Sequence, residues 1–220
     1  MKKHWMTVWL TGAILTAMPG CASKQKTAEQ FRPGGGIAEY REITEKATAA
    51  VQEVLASLEV VATQSNHCSP EAFSALSTGV QRLQVDSLRV RARSQAILAR
   101  GDGYFERWHE TLAMVKDQKV RALAEERRPL LQQRFEQIKR DSERARSAFT
   151  PFLAGLRELR NSLESDAERL RSGPAQELLS KTRESGRELL RHLASIRAEL
   201  DTMQAMLTPS GVHLEDKKPQ

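Results

Sequence analysis

Apolar residues recur every three or four positions through most of the chain, the period of a helix with one buried face. The first such segment runs from about Glu39 to Ser65, with Ile43, Ala47, Val51, Val54, Leu58 and Val61 on one side. Asn66-His67-Cys68-Ser69-Pro70 interrupts it; Ser69 is placed to cap a following helix and Pro70 to occupy its first turn. Beyond, Phe73, Leu76, Val80, Leu83, Ser87, Val90, Ser94, Ile97, Gly101, Tyr104, Trp108 and Val115 share one heptad frame. Gly101-Asp102-Gly103 falls inside that frame. A glycine pair commonly ends a helix, but a turn has no need to keep heptad phase. The intact phase therefore predicts a continuous helix at ~1 kcal/mol per glycine, offset by closer approach of a partner helix.

The frame fades around Glu125 to Arg128, and Pro129 is expected at least to kink the helix. It resumes at Phe135, Ile138, Ala145, Phe149, Phe152, Leu156, Leu159 and Leu163. Thr150-Pro151 reads as a helix start, which predicts a reversal near Ser147, with a simple kink as the alternative. A reversal there sets Trp108 opposite Gly186 and Ser94 opposite Leu200, and makes the second helix roughly 100 Å long. The last segment follows Ser172-Gly173-Pro174 and carries Leu179, Thr182, Gly186, Leu189, Leu193, Ile196, Leu200, Met203 and Leu207. The pattern predicts an all-α fold, an elongated antiparallel helical bundle or coiled coil of three to four long helices spanning Ala38 to Leu207.

The N-terminal residues follow a different rule. Lys2 and Lys3 precede an uncharged stretch, Trp5 to Met18, which is shorter than the ~20 residues of a permanent membrane span. The stretch ends in Met18-Pro19-Gly20-Cys21-Ala22-Ser23, which resembles the lipobox of bacterial lipoproteins. Gly20 supplies the small residue before the cysteine; Met18 and Pro19 depart from the commoner residues. The resemblance implies a signal peptide over residues 1–20, removed during maturation, and lipid, including palmitate, on Cys21. An ordinary secretory leader cut near Ala17, leaving Cys21 a plain thiol, is the competing reading. In a Gram-negative host, Ala22 after the cysteine implies the periplasmic face of the outer membrane. Residues 21–37, ending in Arg32-Pro33-Gly34-Gly35-Gly36-Ile37, read as a lipidated flexible tether. Thr208-Pro209-Ser210-Gly211 ends the last helix, and residues 208–220 read as a disordered tail.

Composition narrows the function classes. With 5% aromatic and 28% charged residues in 220, a large globular core is not expected. The formal charge of +6 becomes +4 once Lys2 and Lys3 are removed (6 − 2), a modest excess suited to anionic lipid or cell-wall neighbours. Nucleic acid is not an expected partner in that compartment. Cys68 then has no cysteine to pair with inside the chain, leaving an unpaired thiol in a helix connection or a cross-link between two copies. His67, His109, His192 and His213 show no metal-ligand spacing, and Gly34 to Gly36 precede no phosphate-loop lysine. No metal, cofactor or enzymatic activity is expected. Tyr104, Phe105 and Trp108 read as core. The largest remaining signal is Arg82, Arg89, Arg91, Arg93 and Arg100, among which Asp86 is the only acid. The stripe reads as a solvated face, or alternatively as a site for anionic polymer or lipid head groups.

Arg91-Ala92-Arg93-Ser94, Gly101-Asp102-Gly103-Tyr104-Phe105-Glu106-Arg107-Trp108 and Ala148-Phe149-Thr150-Pro151-Phe152-Leu153 resemble the bacterial domain-of-unknown-function 2959 family, over roughly Ile43 to Leu207. That resemblance implies an all-helical fold and supplies no activity or functional residues. The combined expectation is a membrane-anchored envelope lipoprotein with a structural or protein-interaction role, partnered by a second copy or another envelope protein. Anion binding through the arginine stripe is one alternative; a membrane-remodelling scaffold similar to phage-shock proteins is the other.

Overall fold

The computed structural model describes residues 33–64, 68–165 and 172–207, all within one compact unit. They form four long helices and one short one: α1 (Pro33–Thr63), α2 (Pro70–Glu106), α3 (Trp108–Ala113), α4 (Gln118–Ser165) and α5 (Gly173–Leu207). The all-α antiparallel bundle expected from the periodicity is the architecture found. The helices surround one core in the order α1, α2, α4, α5, and α5 closes back on α1. Each long helix runs antiparallel to both neighbours, so α1 and α4 are parallel across the diagonal.

Local chemistry explains most boundaries. Ser69 caps α2 as expected, its hydroxyl accepting from the Ala72 amide at 3.2 Å with Pro70 following it. Gln64 holds that cap in place by accepting from the Ser69 amide at 2.7 Å. α2 continues through Gly101 and Gly103, as the unbroken heptad phase predicts, and breaks only at Arg107. α1 begins at Pro33, so Gly34, Gly35 and Gly36 are helical and do not belong to a tether. Pro33 there sits where the absent N–H has no intrahelical partner to lose.

The place of the central reversal is a correction. The chain turns back at residues 114–117, not near Ser147, and α4 passes through both Pro129 and Pro151 for 48 residues. Asp117 makes the turn: its carboxylate accepts from the amides of Lys119 at 2.8 Å and Val120 at 3.3 Å. That is helix capping by an acid at the positive end of the dipole. Both prolines lie on the exposed side of α4, where water can satisfy the carbonyls they leave unbonded. The second helix is accordingly 37 residues, roughly 55 Å rather than 100 Å. Trp108 packs on Phe105 and Tyr104, not on Gly186. Gly186 instead faces Phe152 and Leu55, where an added Cβ would meet ring and methyl carbons at 2.8 and 2.9 Å. Large residues do meet small ones along the seams, with different partners from those expected.

The bundle is staggered at one end. The Tyr40 hydroxyl lies 2.6 Å from Ser142 Oγ, which puts the start of α1 level with Phe135. Arg127 donates to the Met206 carbonyl at 2.8 Å, so α5 ends level with Arg127. α3 and the first two turns of α4 therefore extend past both α1 and α5 as a two-helix tip.

Candidate functional site

Three places in the described residues have a defined geometry, two of them polar and one apolar. The first is between α4 and α5. Asp141 falls on the inward face of α4, one turn after Ile138 and one before Ala145, and is 2% exposed. Its Oδ2 accepts from Gln137 at 2.9 Å and from Ser195 of α5 at 2.8 Å, while Oδ1 accepts from Arg144 at 3.2 Å. Burial pushes this carboxyl up, but the Gln137, Ser195 and Arg144 hydrogen bonds together outweigh it and hold it below the ordinary carboxylate range. A charge kept ionised and surrounded by donors fixes the register of α4 against α5. Beside it Tyr40, buried on α1, meets Ser142, which itself donates to the Ile138 carbonyl at 2.6 Å. Burial raises the Tyr40 phenol despite its hydroxyl partners, so it stays protonated and able to donate.

The second place is the arginine stripe on α2. Arg82, Arg89, Arg93 and Arg100 follow at intervals of seven, four and seven, which keeps them on one side of the helix; Arg91 falls about half a turn away. The common side faces α1. Arg93 and Arg100 converge on Glu39 at 3.2 and 2.7 Å, and Arg82 reaches Glu53 at 3.7 Å. Arg89 lies 3.8 Å from Asp86 on its own helix. The structure thus brings Arg93 and Arg100 together around one carboxylate and separates Arg91 from the rest. All five remain substantially exposed to solvent, where such pairs contribute little to stability.

The third is the staggered end, where α1, α2, α4 and α5 enclose an apolar cleft of about 40 Å³ between Ile37, Tyr40, Gly101, Phe135 and Met203. That is far below the several hundred Å³ of a small-molecule site. Beyond it the tip carries Met114, Val120 and Leu123 to the surface, together with Lys116 and Lys119.

Cys21 lies outside the described residues, as do His67 and His213, so the expectation of a lipid site and a leader rests on the sequence alone. Cys68 is half-buried in the α1–α2 connection, and burial pushes its thiol up, away from the reactive thiolate. Among the described residues, no group of three or more metal-binding side chains comes together. Tyr104, Phe105 and Trp108 pack edge-on and stacked with ring centroids 5.3 to 6.0 Å apart, as core residues do.

The sequence reading missed Asp141, Glu39 and Asp117. Asp141 left a signal, a single acid at an inward position of the α4 frame. Glu39 left none, because its partners are more than fifty residues away. No protein-family model matches the chain, and neither the curated proteins nor the solved structures give a significant match. The resemblance to the domain-of-unknown-function 2959 family therefore rests on its motifs alone.

Proposed function

We propose that the chain is a bacterial envelope lipoprotein, held at a membrane by lipid on Cys21, whose helical bundle serves as a non-catalytic structural or protein-interaction module. The observation that carries this reading is the placement of Cys21: directly behind Gly20 and an uncharged run opened by Lys2 and Lys3. Lipid attachment suits the rest of the chain, since no described helix is long and apolar enough to cross a membrane. Each buried acyl CH2 contributes ~0.8 kcal/mol, and two chains already suffice for lasting attachment. The bundle's polar groups support a scaffold role. Asp141 and Ser195 tie α4 to α5, Glu39 ties α1 to α2, and Asp102 with Lys139 ties α2 to α4 at 2.9 Å. In a Gram-negative host, Ala22 directs the anchor to the periplasmic face of the outer membrane, where a second copy or another envelope protein is the expected partner.

Palmitate labelling and membrane fractionation of the chain expressed in a bacterium test the anchor. The wild type is expected to take label and to sediment with membranes, and Cys21→Ser to lose both. Cross-linking in the native envelope, read by mass spectrometry, identifies the partner; a bundle recovered only as an uncross-linked monomer counts against an interaction module.

A further inference from the structure

α2 differs from the other long helices in what it turns to solvent. The outward faces of α1, α4 and α5 carry charge: Glu42 and Glu45, Arg140 and Glu143, and Glu184, Glu188 and Arg191. On α2 the outward stripe between Glu71 and Glu106 is uncharged, with Arg89 at its edge. Its centre is Val85, Leu88, Ala92, Ala96 and Ala99, all exposed. Val85 is 53% and Leu88 67% exposed, the largest apolar surface on this helix. The inward seam of the same stretch is uncharged too, and it packs thinly. Between Leu83 and Ile97 no residue of α2 is buried, and Ser87, Val90 and Ser94 are half-buried. A helix without charge on either face belongs between two packed layers, and its own chain gives α2 one.

The stripe is complementary to itself. A two-fold axis at Ala92, running a second α2 antiparallel to the first, sets Leu88 level with Ala96 of the second copy and Val85 level with its Ala99. Large side chains then meet small ones on both sides of the axis, and the alanines admit close approach of a helix. Charges on the α1 side alternate in the same register. Glu39, at 3.2 and 2.7 Å from Arg93 and Arg100, lies between them, the level reached by Arg89 of the second copy. Arg89 is loosely held in its own chain, 3.8 Å from Asp86, and Asp86 falls within a turn of the second copy's Arg100. Arg93 meets its own copy near the axis, with Glu42 close by. On the α4 side Arg91 meets its own copy as a like pair, while Glu143 and Arg146 of α4 add no net charge. A parallel pair would instead set Leu88 on Leu88, alanine on alanine and Arg89 beside Arg91. A bilayer suits this stripe less, because its alanines bury little apolar area in lipid. Contact from Gln81 to Gly103 runs ~33 Å and covers about 400–600 Å² on each copy with the flanking side chains. That is the class of weak, concentration-dependent interfaces. We infer that α2 is a dimerisation helix, joining two copies antiparallel through Val85, Leu88, Ala92, Ala96 and Ala99. It rests on the reading of the bundle as an interaction module and names a second copy as its partner.

The test uses the full chain carrying Cys21→Ser and Cys68→Ser, so that neither lipid nor a native thiol takes part. Sedimentation equilibrium over a concentration series is expected to show a monomer–dimer equilibrium. Leu88→Glu with Ala92→Glu should weaken it by ~10-fold or more, since like charges then face each other across the axis. Helical content and melting should match the parent, because both side chains are exposed. Arg89→Gln should weaken the dimer about two- to fivefold, and Arg91→Gln should tighten it by a similar factor. A face that binds a free anion would weaken with both. Single cysteines read the register: Ala92→Cys should form a disulfide with itself, and Leu88→Cys with Ala96→Cys but not with itself. A monomer at every concentration, a dimer untouched by the glutamate pair, or a disulfide between two copies of Leu88→Cys overturns the inference. Cross-linking in the native envelope tests the module reading separately. Another protein captured there by a chain that stays monomeric in solution rejects the dimer alone. A solution dimer that behaves as expected, with only monomer recovered from the envelope, rejects the module reading alone.

Discussion

Gly101 of α2 lies directly against the ring of Phe135 of α4. A Cβ built on Gly101 would come within 2.5 Å of Phe135 Cε2, well inside van der Waals contact. Phe135 also packs on Phe105 with centroids 5.3 Å apart, so its ring has little room to retreat. The glycine is thus what lets α2 and α4 approach at the staggered end. Gly101→Ala is expected to destabilise the bundle by about 1–3 kcal/mol through overpacking. Gly103→Ala, whose Cβ would meet only the exposed Arg107 guanidinium at 3.4 Å, should stabilise by about 0.5–1 kcal/mol. Urea melts of the two variants check the pair, and equal effects would contradict this packing.

Pro151 separates the observed course of α4 from the alternative of a reversal near Ser147. Inside a continuous helix it removes the bond to the Ser147 carbonyl, so Pro151→Ala should raise stability by about 1–3 kcal/mol. At the start of a helix the same change would be neutral or harmful. Thermal or chemical denaturation distinguishes the signs.

The Asp141 carboxylate makes stability depend on acid. Its folded-state pKa is depressed, because the Gln137, Ser195 and Arg144 bonds outweigh burial. Its contribution is therefore fully present above the unfolded value of ~3.9 and is lost as pH falls below that, through the folded value. Asp141→Asn should cost about 1–3 kcal/mol at neutral pH, since an amide cannot accept at both ends of the network. Its stability should also fall less steeply than that of the wild type below about pH 4. Parallel acid-denaturation profiles would remove Asp141 as the cause.

Helix type and the inward faces were legible because the heptad phase is a direct record of burial. Ile43, Leu76, Phe152 and Leu193 all sit where the spacing places them. The order of packing was less legible, for a physical reason. The residues that usually break helices, Gly101, Gly103, Pro129 and Pro151, lie inside helices, where tertiary packing and solvent exposure absorb their cost. The true reversal falls at a turn without glycine or proline, closed by Asp117 through its own side chain. Of the candidate site residues, the arginines were legible as a cluster, but their splitting by Glu39 and Glu53 was not. That splitting depends on which helix lies alongside. Cys21 was read from a local motif that lies outside the described residues.

We propose that lipid on Cys21 holds the bundle at a membrane. Intact-mass measurement of the chain purified from a bacterial envelope tests it most directly. A mature chain that begins at Cys21 and carries a diacylglyceryl group and an amide-linked acyl chain is the expected result. A chain that begins elsewhere, or at Cys21 with an unmodified thiol, would contradict it.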